Sequence, residues 1–131
     1  MNKTSIATAL LALAAALPAW AEDPVTLTVD ADGVQRAAIV LDSYSYTPSH
    51  LIVSVGKPVE LTLTKEGFAP HDFVIDDTAS GLSIKQGVGG DPVKLKFTPT
   101  RTGTFAFYCS KKIPFGGTHR KKGMEGILEV R

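Results

Sequence analysis

A cysteine, a histidine and a methionine lie close together near the end of the chain. Cys109 is the only cysteine of the 131 residues, His119 follows it after nine intervening residues, and Met124 follows His119 after four. A thiolate, an imidazole and a thioether are ligands that a soft copper site uses, usually together with a second imidazole. This segment therefore predicts a metal site whose second histidine lies elsewhere in the chain.

Two other histidines could supply the second imidazole. His71 opens an apolar run, so it can be held rigidly at the beginning of a strand. His50 follows the turn formers of residues 47–49 and is predicted to face solvent. On placement alone, His71 is the predicted ligand.

A lone cysteine and a lone methionine also have ordinary explanations. One cysteine cannot form an internal disulfide, which leaves a free thiol or an intermolecular disulfide as the alternatives for Cys109. Met124 could simply fill a gap in the core. The positions of His119 and Met124 after Cys109 favour the ligand interpretation over these alternatives.

Short alternating segments surround these residues and must position them. Residues 103–108 alternate before Cys109 and residues 126–130 do so after Met124, which predicts a strand, a ligand-bearing loop and a strand. Seven or eight such strands separated by turn residues indicate an all-β sandwich or barrel. The connections at 42–49 and 76–92 are predicted to be irregular. The remaining predicted strands cover residues 25–29, 35–41, 51–55, 59–64, 71–75 and 93–97.

The aromatic residues are interpreted first as core. Phe115, inside the ligand-bearing loop, is expected to fill space beneath it, with shielding of the metal or contact with a partner as alternatives. Tyr44 and Tyr46 are expected to pack at a turn. Alternating strand positions predict burial of Phe68, Phe73, Phe97, Phe105 and Phe107.

The first 21 residues predict a secretory signal peptide. Residues 6–17 form an apolar run too short to span a membrane, and residues 19–21 offer small side chains to a signal peptidase. We therefore expect a periplasmic protein without a membrane anchor, with one domain at 22–131. Without Lys3 the chain carries 13 basic and 13 acidic residues, and this neutral balance gives no reason to expect nucleic acid binding.

The chain resembles the cupredoxins, the small blue-copper family that includes plastocyanin, amicyanin and azurin. The resemblance covers most of residues 22–131 and implies a Greek-key β-sandwich or barrel of seven to eight strands. It also implies one copper ion that alternates between Cu(I) and Cu(II), with three ligands in a plane and a long axial methionine. The residues that carry it are Pro70-His71-Asp72, Phe107-Tyr108-Cys109-Ser110, His119 and Met124.

By this resemblance, His71, Cys109 and His119 are the in-plane ligands and Met124 is the axial one. The spacing from Cys109 to His119 is longer than in plastocyanin, amicyanin or azurin, although copper nitrite reductases have similarly long loops. Asp72 stands where plastocyanin and azurin have asparagine. We expect it to hydrogen-bond Ser110 and so tie the two ligand segments together.

The function implied by the resemblance is one-electron transfer by a diffusible, monomeric carrier. Copper buffering or tolerance in the periplasm is the alternative. An enzyme of the nitrite reductase type is not expected, because its second metal needs several histidines and only His50 remains. The expected redox partner has an acidic docking surface, as a cytochrome can, because the ligand-bearing segment carries five basic residues, Lys111, Lys112, Arg120, Lys121 and Lys122.

Overall fold

The computed structural model describes residues 22–131, which form two β-sheets. The predicted signal peptide lies outside the described residues. No helix among those described is long and apolar enough to cross a membrane. The strands are β1 (Val25–Thr26), β2 (Gln35–Asp42), β3 (Ser45–Thr47), β4 (His50–Val53), β5 (Val59–Lys65), β6 (His71–Ile75), β7 (Ile84–Val88), β8 (Val93–Phe97), β9 (Gly103–Tyr108) and β10 (Glu125–Val130), with 3₁₀ helices at Thr78–Ser80 and Arg120–Lys122.

Two packed β-sheets confirm the predicted all-β sandwich. Both sheets are mixed, with parallel and antiparallel strand pairs. One sheet has six strands in the order β1-β4-β10-β9-β6-β7, and the other has four in the order β3-β2-β5-β8. Strand β4 runs parallel to both β1 and β10, and β2 runs parallel to β5. The remaining pairs are antiparallel. Strand β6, which begins with His71, and strand β9, which ends just before Cys109, are neighbours inside the six-stranded sheet.

Two short strands lie in segments predicted to be irregular. Strand β3 follows a tight turn in which Tyr44 has a φ of 65°, a conformation that a sequence pattern does not predict for tyrosine. Strand β7 is the edge strand that pairs only with β6. Only Val88 of β7 is buried, and the residues between Ile84 and Val88 are polar or glycine, so the sequence lacks the alternating apolar residues that identify the other strands.

The core lies between the sheets and is built from the alternating apolar positions. Strand β5 buries every second residue, whereas all five residues of β6 are buried. Phe73 stacks on Phe107 with ring centroids 4.7 Å apart, and Tyr46 packs edge-on against both rings. The predicted burial of Phe73, Phe105 and Phe107 is confirmed, and Phe97 packs against the core while partly buried.

Two aromatic predictions were wrong. Phe68 was expected in the core, and Phe115 was expected to fill space under its loop, yet both side chains are fully exposed. Phe68 lies in the connection between β5 and β6, beyond the end of the sheet. Phe115 has a φ of 58° at the tip of a turn. Neither position faces the opposite sheet, so neither side chain has core to enter.

Gly126 allows β10 to lie close to its neighbours. Adding a methyl group at this position should therefore destabilise the fold. A Cβ at Gly126 would lie 2.3 Å from Cζ of Phe107 and 2.4 Å from the carbonyl oxygen of Ser49. We expect Gly126→Ala to lower the free energy of unfolding by about 1 to 3 kcal/mol, the usual cost of overpacking, as measured by chemical denaturation. Gly90→Ala is the matched control, because a Cβ at Gly90 meets nothing within 4 Å. Equal stability of the two variants would contradict this account of Gly126.

Candidate metal centre

Three predicted ligands meet at one end of the six-stranded sheet. His71 is the first residue of β6, Cys109 follows the last residue of β9, and β6 pairs with β9 antiparallel. The beginning of one strand therefore lies beside the end of the other. His119 directly precedes the 3₁₀ helix Arg120–Lys122, which returns the chain to this end.

The donor atoms of these three residues face one another. Nδ1 of His71 lies 3.2 Å from Nδ1 of His119, and Sγ of Cys109 lies 3.5 Å from Nδ1 of His119 and 3.9 Å from Nδ1 of His71. Metal bonds of about 2.0 Å to nitrogen and about 2.3 Å to sulfur, as at zinc, place donors around one ion about 3 to 4 Å apart. The observed distances therefore fit a single metal ion.

The three side chains are also closed off from solvent. His71 is 1% exposed, Cys109 is 0% exposed and His119 is 3% exposed. Buried polar groups normally have partners, and Nε2 of His71 has none among the described residues. On the opposite side of the same ring, Nδ1 is directed at the other two donors. A metal bound at Nδ1 would leave Nε2 unpaired, so the support for a metal comes from the three buried donors that face one another.

Backbone hydrogen bonds hold Met124 beside Cys109 and His119. The Cys109 N–H donates to the Met124 carbonyl at 3.1 Å, and the Met124 N–H donates to the His119 carbonyl at 3.1 Å. The Met124 side chain is fully buried. The structure thus brings Met124 to the centre, and the role of its thioether as axial ligand stays a prediction.

His50 lies outside this group, and its expected environment was wrong. It is the first residue of β4, with a side chain only one-quarter exposed, rather than a turn residue facing solvent. Its Nε2 lies 3.2 Å from a carboxylate oxygen of Glu129 on β10. Pairing between β4 and β10 sets this contact, which the local sequence could not show.

Asp72 ties the two ligand segments together as predicted. Its Oδ1 accepts a hydrogen bond from the Ser110 N–H at 2.7 Å, and its Oδ2 accepts one from the Ser110 hydroxyl. The Tyr46 hydroxyl donates to the Asp72 carbonyl at 2.6 Å. These bonds fix the backbone next to His71 and Cys109 to each other and to strand β3.

A small hairpin takes up the long spacing between Cys109 and His119. Lys112 pairs with Thr118, and the His119 N–H donates to the Lys111 carbonyl at 2.9 Å. The intervening residues therefore leave the site and return to it, with Phe115 at the tip. The longer loop delivers His119 to the donors without opening the centre.

Two contacts at the site could not be predicted from any pattern in the sequence. Tyr44 packs edge-on against the His119 ring, with centroids 5.2 Å apart. The Arg120 guanidinium lies 4.0 Å from the centre of the Tyr108 ring and pairs with Glu125 at 3.0 Å. Both contacts join residues from different segments, and both hold the short helix beside His119 in place.

Burial sets the protonation of the donors. It lowers the pKa of His71 and of His119 below the ordinary value, because a charged imidazole is poorly solvated there. It raises the pKa of the Cys109 thiol for the same reason. At neutral pH both imidazoles are therefore uncharged and able to bind a metal, whereas the thiol still holds its proton.

Comparison with known proteins agrees with this geometry. The family model described as a cupredoxin-like domain matches residues 5–119. A copper-containing nitrite reductase of Pseudomonas chlororaphis is 31% identical over 111 residues, which cover 79% of this chain and 30% of that protein. The chain thus spans less than one third of the length of this relative.

Two solved structures have a similar fold. A mutant plastocyanin of fern is 26% identical, with a TM-score of 0.53 and coverage of 72% of this chain and 100% of that chain. The metal binding domain of the Cu(I) exporting P-type ATPase CopA of Streptococcus pneumoniae D39 is 20% identical, with a TM-score of 0.64 and coverage of 83% and 96%. The second likeness concerns the fold alone.

The protonation of the donors predicts proton release when a metal binds. Near pH 7.5 a Co²⁺ ion added to the metal-free protein should release about one proton, because the ligand must be a thiolate and the histidines are already neutral. Calorimetry in buffers of different ionisation enthalpy measures this number. Cys109→Ser should release almost none. Equal proton release by the two proteins would show that the thiol is not the group that deprotonates.

Proposed function

Because the chain belongs to the cupredoxin-like family, we propose that it is a mononuclear copper protein that carries single electrons. His71, Cys109 and His119 would hold the ion, and the Met124 thioether would be a fourth, weaker ligand. The observation that carries this proposal is the buried group of two imidazoles and one thiol whose donor atoms face one another.

Bound at this site, copper supplies a one-electron couple between its cuprous and cupric forms, and two imidazoles, a thiolate and a weak axial thioether are the ligands of electron-transfer copper sites. The protein contributes rigidity. Asp72 ties the two ligand segments together, and the Met124 backbone is bonded to both Cys109 and His119. Ligands held in this way keep nearly the same positions in either oxidation state, which favours rapid electron transfer.

Copper buffering is the alternative function of the same site. A buffering protein must take up and release its metal readily. Here the three donors are almost completely buried and are enclosed by the hairpin before His119 and by strand β6. This enclosure opposes rapid exchange of the metal and supports the electron carrier.

The proposal includes no enzymatic step. A catalytic metal of the nitrite reductase type would need a second donor set, and residues 22–131 bring together one group of three or more His, Cys, Asp or Glu donors. His50, the remaining histidine, contacts Glu129 instead. A periplasmic location is also part of the proposal, and it depends on the signal sequence predicted for residues 1–21.

Colour tests the copper assignment directly. We expect the copper-loaded protein to absorb visible light intensely through thiolate-to-copper charge transfer, and we expect Cys109→Ser, His71→Ala and His119→Ala each to abolish that absorption. His50→Ala is the control and should keep the visible and electron paramagnetic resonance spectra. Loss of the spectrum in His50→Ala, or its survival in Cys109→Ser, would overturn the ligand assignment.

The proposed partner is a redox protein with an acidic docking surface. Arg120 is already paired with Glu125, so the basic residues that remain available beside His119 are Lys111, Lys112, Lys121 and Lys122. Phe115 projects from the same hairpin as a fully exposed apolar contact. Complementary charges act mainly on the rate of association, and this basic surface would direct an acidic partner toward the metal end.

Ionic strength should therefore control electron exchange with an acidic partner such as a cytochrome. Exposed charges are screened over about 8 Å at physiological salt, so stopped-flow rates should fall steeply as salt is added. Replacing both Lys121 and Lys122 by glutamate should slow exchange at low salt and leave the spectrum unchanged. The control replaces Lys57 and Lys96, toward the opposite end of the sandwich, and makes the same change in net charge. Rates that do not depend on salt would remove this docking model.

A further inference from the structure

A buried carboxylate lies beside the centre and forms no ion pair with any described residue. Asp72 is 1% exposed and directly follows His71 in strand β6. None of the ion pairs formed within residues 22–131 includes Asp72. Burying a charge is costly unless an opposite charge or several hydrogen bonds compensate it. The position of Asp72 therefore needs an explanation beyond packing.

Both carboxylate oxygens of Asp72 accept a hydrogen bond. One carboxylate oxygen accepts from the Ser110 N–H and the other accepts from the Ser110 hydroxyl. Two accepted hydrogen bonds match a carboxylate, whose oxygens are acceptors only. Asp72 thus brings a negative charge to the backbone beside Cys109.

The charge of Asp72 acts on all three donors. Burial is the main cause of the raised pKa of Cys109, and the Asp72 charge adds to it. Burial lowers the pKa of His71 and of His119, and the Asp72 charge opposes this in both. His119 and Lys65 also lower the pKa of His71, and Asp42 raises it.

Counting charges at the centre shows what this carboxylate does. A Cys109 thiolate and the Asp72 carboxylate carry two negative charges, and the two imidazoles are neutral. A divalent ion brings the buried group to zero net charge. A monovalent ion leaves one negative charge uncompensated inside the protein, where charge is poorly solvated.

We infer that Asp72 sets the charge preference of the centre, so that it favours divalent over monovalent ions and the cupric over the cuprous form. This inference rests on the proposed function for the identity of the metal. Asp72 acts here as a specificity-determining residue that touches no metal itself. Its bonds to Ser110 hold the ligand segments together, and its charge selects the oxidation state that those segments accommodate best.

Asp72→Asn tests the inference, because asparagine has nearly the same shape and keeps one acceptor for Ser110 while removing the charge. The affinity for Co²⁺ is measured from thiolate absorption, and the affinity for Cu⁺ is measured by competition with a chelating dye. At constant pH, the ratio of the two affinities gives the preference for divalent over monovalent ions. We expect the ratio of Co²⁺ to Cu⁺ affinity to fall by about tenfold or more, the scale of a charge interaction over several ångströms in a partly screened interior. The reduction potential of the copper-loaded variant should rise.

Glu125→Gln is the matched control. Glu125 follows Met124 in the chain, but its side chain is about half exposed and pairs with Arg120. Solvent screens its charge, so the affinity ratio should stay near that of the unmodified protein. The inference would be overturned if Asp72→Asn and the unmodified protein had equal ratios of Co²⁺ to Cu⁺ affinity, or if the variant lost affinity equally for both ions. Asp72 would then only hold the two ligand segments together.

Ser110→Ala provides a second test if Asp72→Asn does not fold. Removing the hydroxyl donor leaves the carboxylate charge less neutralised, so the ratio should move further toward the divalent ion. A shift toward the monovalent ion would contradict the inference. The proposed function is tested separately, by the unmodified protein: absence of a reversible one-electron copper couple would remove it and leave the comparison of Co²⁺ with Cu⁺ intact.

Discussion

Two imidazoles and a thiol that face one another inside the protein are the constraint on which the rest of the structure depends. Their donor atoms lie 3.2 to 3.9 Å from one another. Such a group is stable only if the surrounding chain fixes it in place, because buried polar atoms without good partners are costly. The ends of β6 and β9, the hairpin and the short helix supply that fixation.

The fixation depends on hydrogen bonds more than on apolar packing alone. Asp72 joins strand β6 to the chain after Cys109, and Tyr46 joins β3 to β6. Met124 closes the loop through backbone bonds to Cys109 and His119. These bonds belong to residues next to the donors, so each one limits the movement of a donor directly. The apolar core below them, with Phe73 stacked on Phe107, gives the same residues a rigid base.

The candidate metal centre has a buried interior and an exposed, positively charged exterior. The donors are inaccessible, while Phe115 and the lysines of the ligand-bearing segment are outside. Electrons can cross a thin layer of protein, whereas metal ions need an open path. A buried centre beneath an exposed basic and apolar surface thus fits the proposed electron carrier better than the alternative of copper buffering. The nitrite reductase relative is more than three times the matched length, so the activity in its name does not carry over to this chain.

The sequence by itself determined most of the strand pattern, because alternation along the chain marks one buried face. The ligand set and the link between Asp72 and Ser110 were expected from the resemblance of the ligand-bearing segments to cupredoxins. The sequence did not determine the environments of His50 and Phe68 or the presence of β3 and β7. Those depend on which strands are neighbours, and residues far apart in sequence decide that. His50 is partly buried because β4 lies beside β10, and Tyr44 reaches His119 only after the sheets have packed. The balance of buried charge around Asp72 likewise becomes visible only when every group near it is in place.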